Sequence, residues 1–294
     1  MKSSTKKKQF QWHFFVFFIP VFLWIMIMFV LPQGELVRLS FMVPDYSQEE
    51  IVNNLSLENY ANFFTEPIYW RTFMRTAIFS IFITVIDLII ALPVAFFITK
   101  VVGLKFKGLI LILTMLPFWV SGLIRVYGWI TFFRESGVLN TTLIKMGLID
   151  SPWPMVYNDM SMILCLSYTT ILYMIIPIIG VMDSLDDAYI EAAYDLGSNK
   201  IIVWFKIIIP HCVPGIISGA IVVFMYAMGS YMTPKLVGGK NSLWFTEQIY
   251  DKFIQSDNWN QGAAFGLILL VLSSIMIGIA LKLSRQKFNE VVAK

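Results

Sequence analysis

The residues best suited to specific chemistry form one short run, Asp186-Asp187-Ala188-Tyr189-Ile190-Glu191-Ala192-Ala193-Tyr194-Asp195-Leu196-Gly197. Asp186 or Asp187 can cap a helix start, where a carboxylate meets the positive end of the helix. Ala192 and Ala193 favour helix, and they are small enough to let another polypeptide come close. Gly197 suits the left-handed residue that stops a helix. Beyond it, Ile201, Trp204, Phe205 and Ile208 recur at helical spacing, and Pro210 and Pro214 mark the expected end of this second helix and the start of the next element. The chemistry of such a unit is recognition. Two short helices and a sharp turn present an acid and small side chains to a basic groove, while an apolar face anchors the unit from behind.

Other reactive groups are sparse. Asp87 stands alone in Thr84-Val85-Ile86-Asp87-Leu88, and Arg125 follows Gly122 in another apolar stretch. His13 and His211 have no metal-ligand company, and Cys165 and Cys212 make neither a disulfide framework nor a zinc cluster. No Walker A phosphate loop, Gly-x-Ser-x-Gly or His-Glu-x-x-His occurs, so no catalytic residue, metal or bound cofactor is expected. Phe118, Trp119, Tyr127, Tyr226 and Tyr231 could line a path for an alkylammonium ion, at roughly 0.5–2 kcal/mol per ring, or simply pack helices together.

The elements that hold these groups follow from composition. Of 294 residues 57% are apolar and 14% charged, and the mean hydropathy is +0.72. A soluble domain runs near ~45–50% apolar and ~25% charged, which argues against a cytosolic enzyme or a nucleic-acid binder. Long unbroken apolar runs predict membrane-spanning helices rather than barrel strands. Six spans are expected: about Phe14–Leu31, Thr76–Ile98, Leu109–Ile130, Met160–Ile179, Gly215–Met232 and Ala263–Leu281. The third is interrupted by Pro117, Gly122 and Arg125. The first reads as a retained helix, because its apolar run exceeds that of a signal peptide. Between spans, Ser56-Leu57-Glu58-Asn59-Tyr60 with Phe63 and Phe64 reads as a capped amphipathic helix. Leu139–Met146 reads as another short helix, capped by Asn140 and Thr141.

Lysine and arginine placement orients the chain. Lys2, Lys6, Lys7 and Lys8 precede the first span, Lys100, Lys105 and Lys107 join the second to the third, and Lys282, Arg285, Lys287 and Lys294 follow the sixth. These belong on the cytoplasmic side, with both termini. The first external loop is acidic instead, with Glu35, Asp45, Glu49, Glu50, Glu58 and Glu66 against Arg38, Arg71 and Arg75. Parity puts the 182–214 connection inside as well, yet Asp183, Asp186, Asp187, Glu191 and Asp195 outweigh Lys200 and Lys206 there. One reading is a plain amphipathic connector on the inner leaflet, but that anionic surface favours basic residues. The other is a docking elbow for a partner. Asp87 near the middle of the second span carries an insertion cost of about 2.5–3.5 kcal/mol. It should face the bundle or a wet path, as a cation contact or as a structural acid. Arg125 suits a structural role, pairing with a helix end or an acid such as Glu135, or snorkelling.

Glu191-Ala192-Ala193, then Gly197, then Ile207, Ile209 and Pro210 resemble the EAA loop of ABC-importer permeases, with Ile209 where leucine is usual. Leu116-Pro117-Phe118-Trp119, Leu123-Ile124-Arg125-Val126-Tyr127-Gly128, Gly137-Val138-Leu139-Asn140, Gly238-Gly239 and Glu191 through Gly219 together resemble the spermidine/putrescine (PotB-type) permease family. The resemblance implies an all-α, six-helix type I ABC-importer permease fold in the cell membrane. It implies a single transmembrane domain over 1–294, with a core of roughly 72–282 and a coupling loop at 183–211. Its ATPase-coupling residues would be Asp187, Glu191, Ala192, Ala193, Gly197, Ile207 and Pro210. Partners would be an ABC ATPase dimer that binds ATP and Mg, a second related permease, an external solute-binding protein and the bilayer, with no nucleic acid. Candidate substrate-path residues are Asp87, Phe118, Trp119, Tyr226 and Tyr231. Related permeases for iron, thiamine or phosphonate share the EAA loop and stay open as alternatives. A stand-alone secondary transporter would need intramembrane ion sites, and only Asp87 is offered.

Overall fold

The computed structural model describes residues 18–45, 52–239 and 242–283. The expectations for Lys2, Lys6, Lys7, Lys8, His13 and the Phe14 start of the first span lie outside the described residues, as do those for Glu49, Glu50, Arg285, Lys287 and Lys294. In chain order the elements are α1 (Phe18–Ser40), β1 (Met42–Asp45), β2 (Val52–Leu55), α2 (Glu58–Thr65), α3 (Pro67–Val101), α4 (Leu104–Trp119), α5 (Gly122–Phe133), α6 (Val138–Lys145), α7 (Asp159–Met182), α8 (Asp187–Asp195), α9 (Lys200–Gly229), α10 (Phe245–Tyr250) and α11 (Trp259–Leu283).

Five of these, α1, α3, α7, α9 and α11, are long and apolar enough to cross a membrane. The third expected span is different. Leu104–Trp119 and Gly122–Lys145 meet at 89°, a bent pair that makes a sixth crossing only if counted as one. The cause is local. Leu116–Trp119 tightens into a 3₁₀ turn around Pro117, and Val120 and Ser121 turn to extended backbone with ψ near 130° and 138°.

Two further boundaries move. Helix α3 begins at Pro67, so Arg71 and Arg75 belong to its first turns and not to the preceding loop. At ~1.5 Å per residue it outreaches a ~30 Å hydrocarbon core. Pro210 and Pro214 do not end a helix, because α9 runs through both from Lys200 to Gly229. The backbone widens to a π turn over Trp204–Ile208 just before Pro210, which leaves room for its ring. Membrane bundles tolerate the amide that each proline removes.

The chain divides into two compact units. The first holds residues 1–67 and 249–270. In it β1 and β2 pair antiparallel, with Met42 opposite Leu55. Helix α2 begins as expected, with the Ser56 hydroxyl accepting the Glu58 N–H at 3.0 Å. Asn59 then donates to the Met42 carbonyl at 2.8 Å, and the buried Phe63 ring lies 6.1 Å from Phe265.

The second unit holds residues 68–248 and 271–294. Its centre is α7, whose Met162, Leu166, Met174 and Ile178 are fully buried. Helix α9 lies directly against it at Gly215 and Gly219. A Cβ at Gly215 would sit 2.7 Å from the Pro177 carbonyl oxygen, and one at Gly219 would sit 2.9 Å from Met174 Sδ. This is the small-xxx-small contact of membrane helices, where close backbone approach replaces a hydrophobic drive that lipid cannot supply. Helix α6 forms where expected, but Asn140 does not cap it. Its amide reaches the Arg134 carbonyl at 3.1 Å and brackets the Trp153 backbone at 2.9 and 2.8 Å.

Candidate coupling loop and substrate path

The elbow after α7 folds as its residue types dictate. The Asp186 carboxylate caps α8 by accepting the Ala188 N–H at 3.0 Å. Gly197 adopts φ +81°, and the chain closes behind it with Gly197 N–H to Tyr194 O at 2.8 Å and Ser198 N–H to Ala193 O at 3.0 Å. That is the glycine-stopped helix end, which a side chain at this φ would oppose. Asn199 caps α9 by accepting the Ile202 N–H at 2.8 Å.

The elbow has two faces. Leu185, Ala193, Val203 and Ile208 are buried in the central apolar cluster, and Trp204 meets Phe96 of α3 at 5.1 Å. On the other face Asp187, Glu191, Ala192 and Pro210 are exposed, with Ile207 half-buried. Tyr189, Leu196, Ile201 and Phe205 join them as large exposed apolar groups. The exposed side of the elbow thus combines an acid with large uncovered apolar groups.

The acidity of this connection also finds a local cause. Lys100, at the end of α3, donates to Asp187 at 2.6 Å and to the Leu185 carbonyl. Lys107, on α4, donates to Asp183. The basic connection between spans two and three and the acidic elbow are therefore partners. At the other end of the same helices, Arg75 of α3 pairs with Asp159 of α7, so α3 and α7 lie side by side and run parallel. Arg75 also sits 5.1 Å over the Phe79 ring, and Phe79 stacks on the buried Trp244 at 6.3 Å.

The candidate path residues separate. Asp87 is fully buried between α3 and α7, accepting hydrogen bonds from the Ser167 hydroxyl and, at 2.6 Å, from the Thr170 hydroxyl. Phe118, in the last turn of α4 at the bend, contacts Tyr173 at 5.1 Å, and Tyr173 contacts Tyr226 of α9 at 5.5 Å. Tyr173 was not among the expected residues. It joins two that were, and it lies three positions after Thr170 on the same side of α7. Trp119 is 87% exposed and stands outside this ring series. Tyr231 is half-buried just beyond the end of α9. Arg125 makes no ion pair with Glu135 among the described residues, and its buried Nε and Nη1 have no protein hydrogen-bond partner. Gly215-x-x-x-Gly219 was legible as a spacing of small residues, and that signal locates the α7–α9 contact.

Long apolar helices, a bent third span and a glycine-stopped acidic elbow define a polytopic membrane protein. The fold is that of a chain in a bacterial ABC transporter involved in the import of the acidic polysaccharide alginate. The two share a TM-score of 0.76 over 97% of this chain and 99% of that one, at 17% identity. No family model matches the chain. Curated relatives are closer in sequence. The spermidine/putrescine transport system permease protein PotB of Haemophilus influenzae is 34% identical over 87% of this chain and 89% of its own length. PotB of Salmonella typhimurium is 30% identical over 97% of this chain and 96% of its own length. The chain belongs to the PotB family of ABC-importer permeases, and it is a multi-pass protein of the cell membrane.

Proposed function

We propose that this chain is the membrane-spanning subunit through which an ATP-driven importer brings spermidine or putrescine into the cytoplasm. The observation that carries the reading is identity of 30–34% to PotB permeases over most of both chains. The exposed face of the 183–211 elbow docks an ATPase subunit, with Glu191 meeting a basic wall and Ala192 allowing close approach. ATP and Mg belong to that ATPase. A second, related permease completes the path, and an external binding protein delivers the solute. This places the elbow and both termini in the cytoplasm, in keeping with the lysine distribution.

Transport then proceeds by alternating access. Closure of the ATPase pair displaces the elbow and biases the bundle toward one opening, and hydrolysis resets it. Each ligand must hold one state better than the other for this to work. Phe118, Tyr173 and Tyr226 offer π faces to an alkylammonium chain. Asp87 meets a cation only in a state where α3 and α7 part at Ser167 and Thr170. The test is uptake of labelled spermidine and putrescine by the assembled transporter, set against iron chelates, thiamine and phosphonates. Saturable, ATP-dependent polyamine uptake supports the reading, and uptake of another solute in its place refutes it.

A further inference from the structure

Lys100 and Lys107 stand out because lysine heads normally reach for water, yet these side chains are only 9% and 17% exposed. Each is drawn in by the elbow. Lys100 holds its first residues at two points, the Leu185 carbonyl and the Asp187 carboxylate, and Lys107 holds Asp183 at the end of α7. Only the lysine end of each pair is desolvated, since Asp187 and Asp183 stay 67% and 50% exposed, and removal of either acid strands a largely buried lysine charge. The apolar contacts behind the elbow, such as Trp204 on Phe96, have no fixed direction and allow sliding. Charged hydrogen bonds fix direction as well as distance.

The position of Lys107 gives the pair its use. It lies on the first arm of the bent third span, and Phe118 at the bend is eleven residues on, about 16 Å along the helix. Phe118 in turn touches Tyr173. A displacement of the elbow therefore has a short, rigid route to the bend. We propose that Lys107–Asp183 and Lys100–Asp187 are a two-point tether that hands elbow movement to the ends of the second and third spans. Lys100 and Lys107 are thus positioning residues for transport. The proposal rests on the reading of the elbow as the ATPase dock.

The test uses the complete importer with Lys107→Asp, Asp183→Lys and the exchanged pair carrying both, beside Lys107→Arg. Three quantities are read: ATPase subunit co-purified, ATP hydrolysed, and spermidine imported per ATP. Both single reversals should retain the ATPase subunit and hydrolysis while import per ATP falls at least about fivefold, the lower range of a coupling energy. The exchanged pair should recover most of the parental ratio, and Lys107→Arg should stay near it. A parental ratio in the single reversals overturns the tether, and so does a failure of the exchanged pair to recover in an importer that assembles normally. Loss of the ATPase subunit from the reversals also overturns it, because the lysines would then serve docking. The underlying reading fails separately, if Glu191→Arg leaves ATPase assembly untouched.

Discussion

The Thr170 hydroxyl of α7 donates to the Asp87 carboxylate of α3 at 2.6 Å, and Ser167 donates to the other carboxylate oxygen. A lone acid in an apolar span is thereby an interhelical clamp in this state. Asp87→Asn keeps an acceptor for the hydroxyls and should leave thermal stability in detergent nearly unchanged, while spermidine uptake falls. Asp87→Ala leaves the Ser167 hydroxyl without its acceptor, while Thr170 can still donate to the Leu166 carbonyl at 2.9 Å, and should cost about 1–3 kcal/mol, read as a lower melting temperature. Parental uptake kinetics in Asp87→Asn would confine the carboxylate to the clamp.

The approach of α9 to α7 leaves no space at Gly215. Its Cβ would meet backbone, the Pro177 carbonyl oxygen at 2.7 Å and the Ile178 Cα at 3.1 Å. Gly215→Ala should therefore force the helices apart and cost roughly 1–3 kcal/mol, as overpacking does. Gly219→Ala should cost less, because its nearest neighbour is the flexible Met174 Sδ. Thermal unfolding of the purified variants ranks the two, and equal stability of Gly215→Ala and parent would contradict the packing.

The spans and the elbow were legible because each signal is local. Long, mostly apolar runs such as the expected Thr76–Ile98 span have one physical solution in lipid, and Asp186, Gly197 and Asn199 act on backbone within three or four residues. What was not legible depends on distant partners. Lys107 and Asp183 are 76 residues apart and Lys100 and Asp187 are 87 apart, so the acidic elbow looked unexplained until the fold joined them. Pro210 and Pro214 read as a helix end by the rules of water, whereas a π turn and neighbouring helices carry α9 through them. Pro117 marked an interruption, but the 89° bend also needs Val120 and Ser121 in extended backbone, which their residue types do not announce. The hairpin at Met42 and Leu55 escaped notice because Pro44 and the Asn53-Asn54 pair break any strand alternation.

Gly197 isolates the elbow geometry from its contacts. Its φ is +81°, and a Cβ there would meet nothing within 4 Å. Any cost of Gly197→Ala is thus conformational, about 1–2 kcal/mol for a left-handed residue, and Gly197→Asn should be milder. The expected result is intact helical content by circular dichroism with reduced ATPase subunit recovered on purification. Recovery equal to the parent in Gly197→Ala would mean that the turn is not needed for docking.

The docking role of the elbow is tested most directly by the amount of ATPase subunit that co-purifies with the complete transporter when Glu191 is changed to Arg. Glu191 is exposed, and its side chain has no hydrogen bond or ion pair among the described residues, so the change should leave the permease folded. A charge that met a basic wall would now repel it, and ATPase recovery should fall at least about tenfold, as a loss of ~1.4 kcal/mol or more implies. Undiminished recovery, with ATP hydrolysis still coupled to polyamine uptake, would contradict the docking role outright.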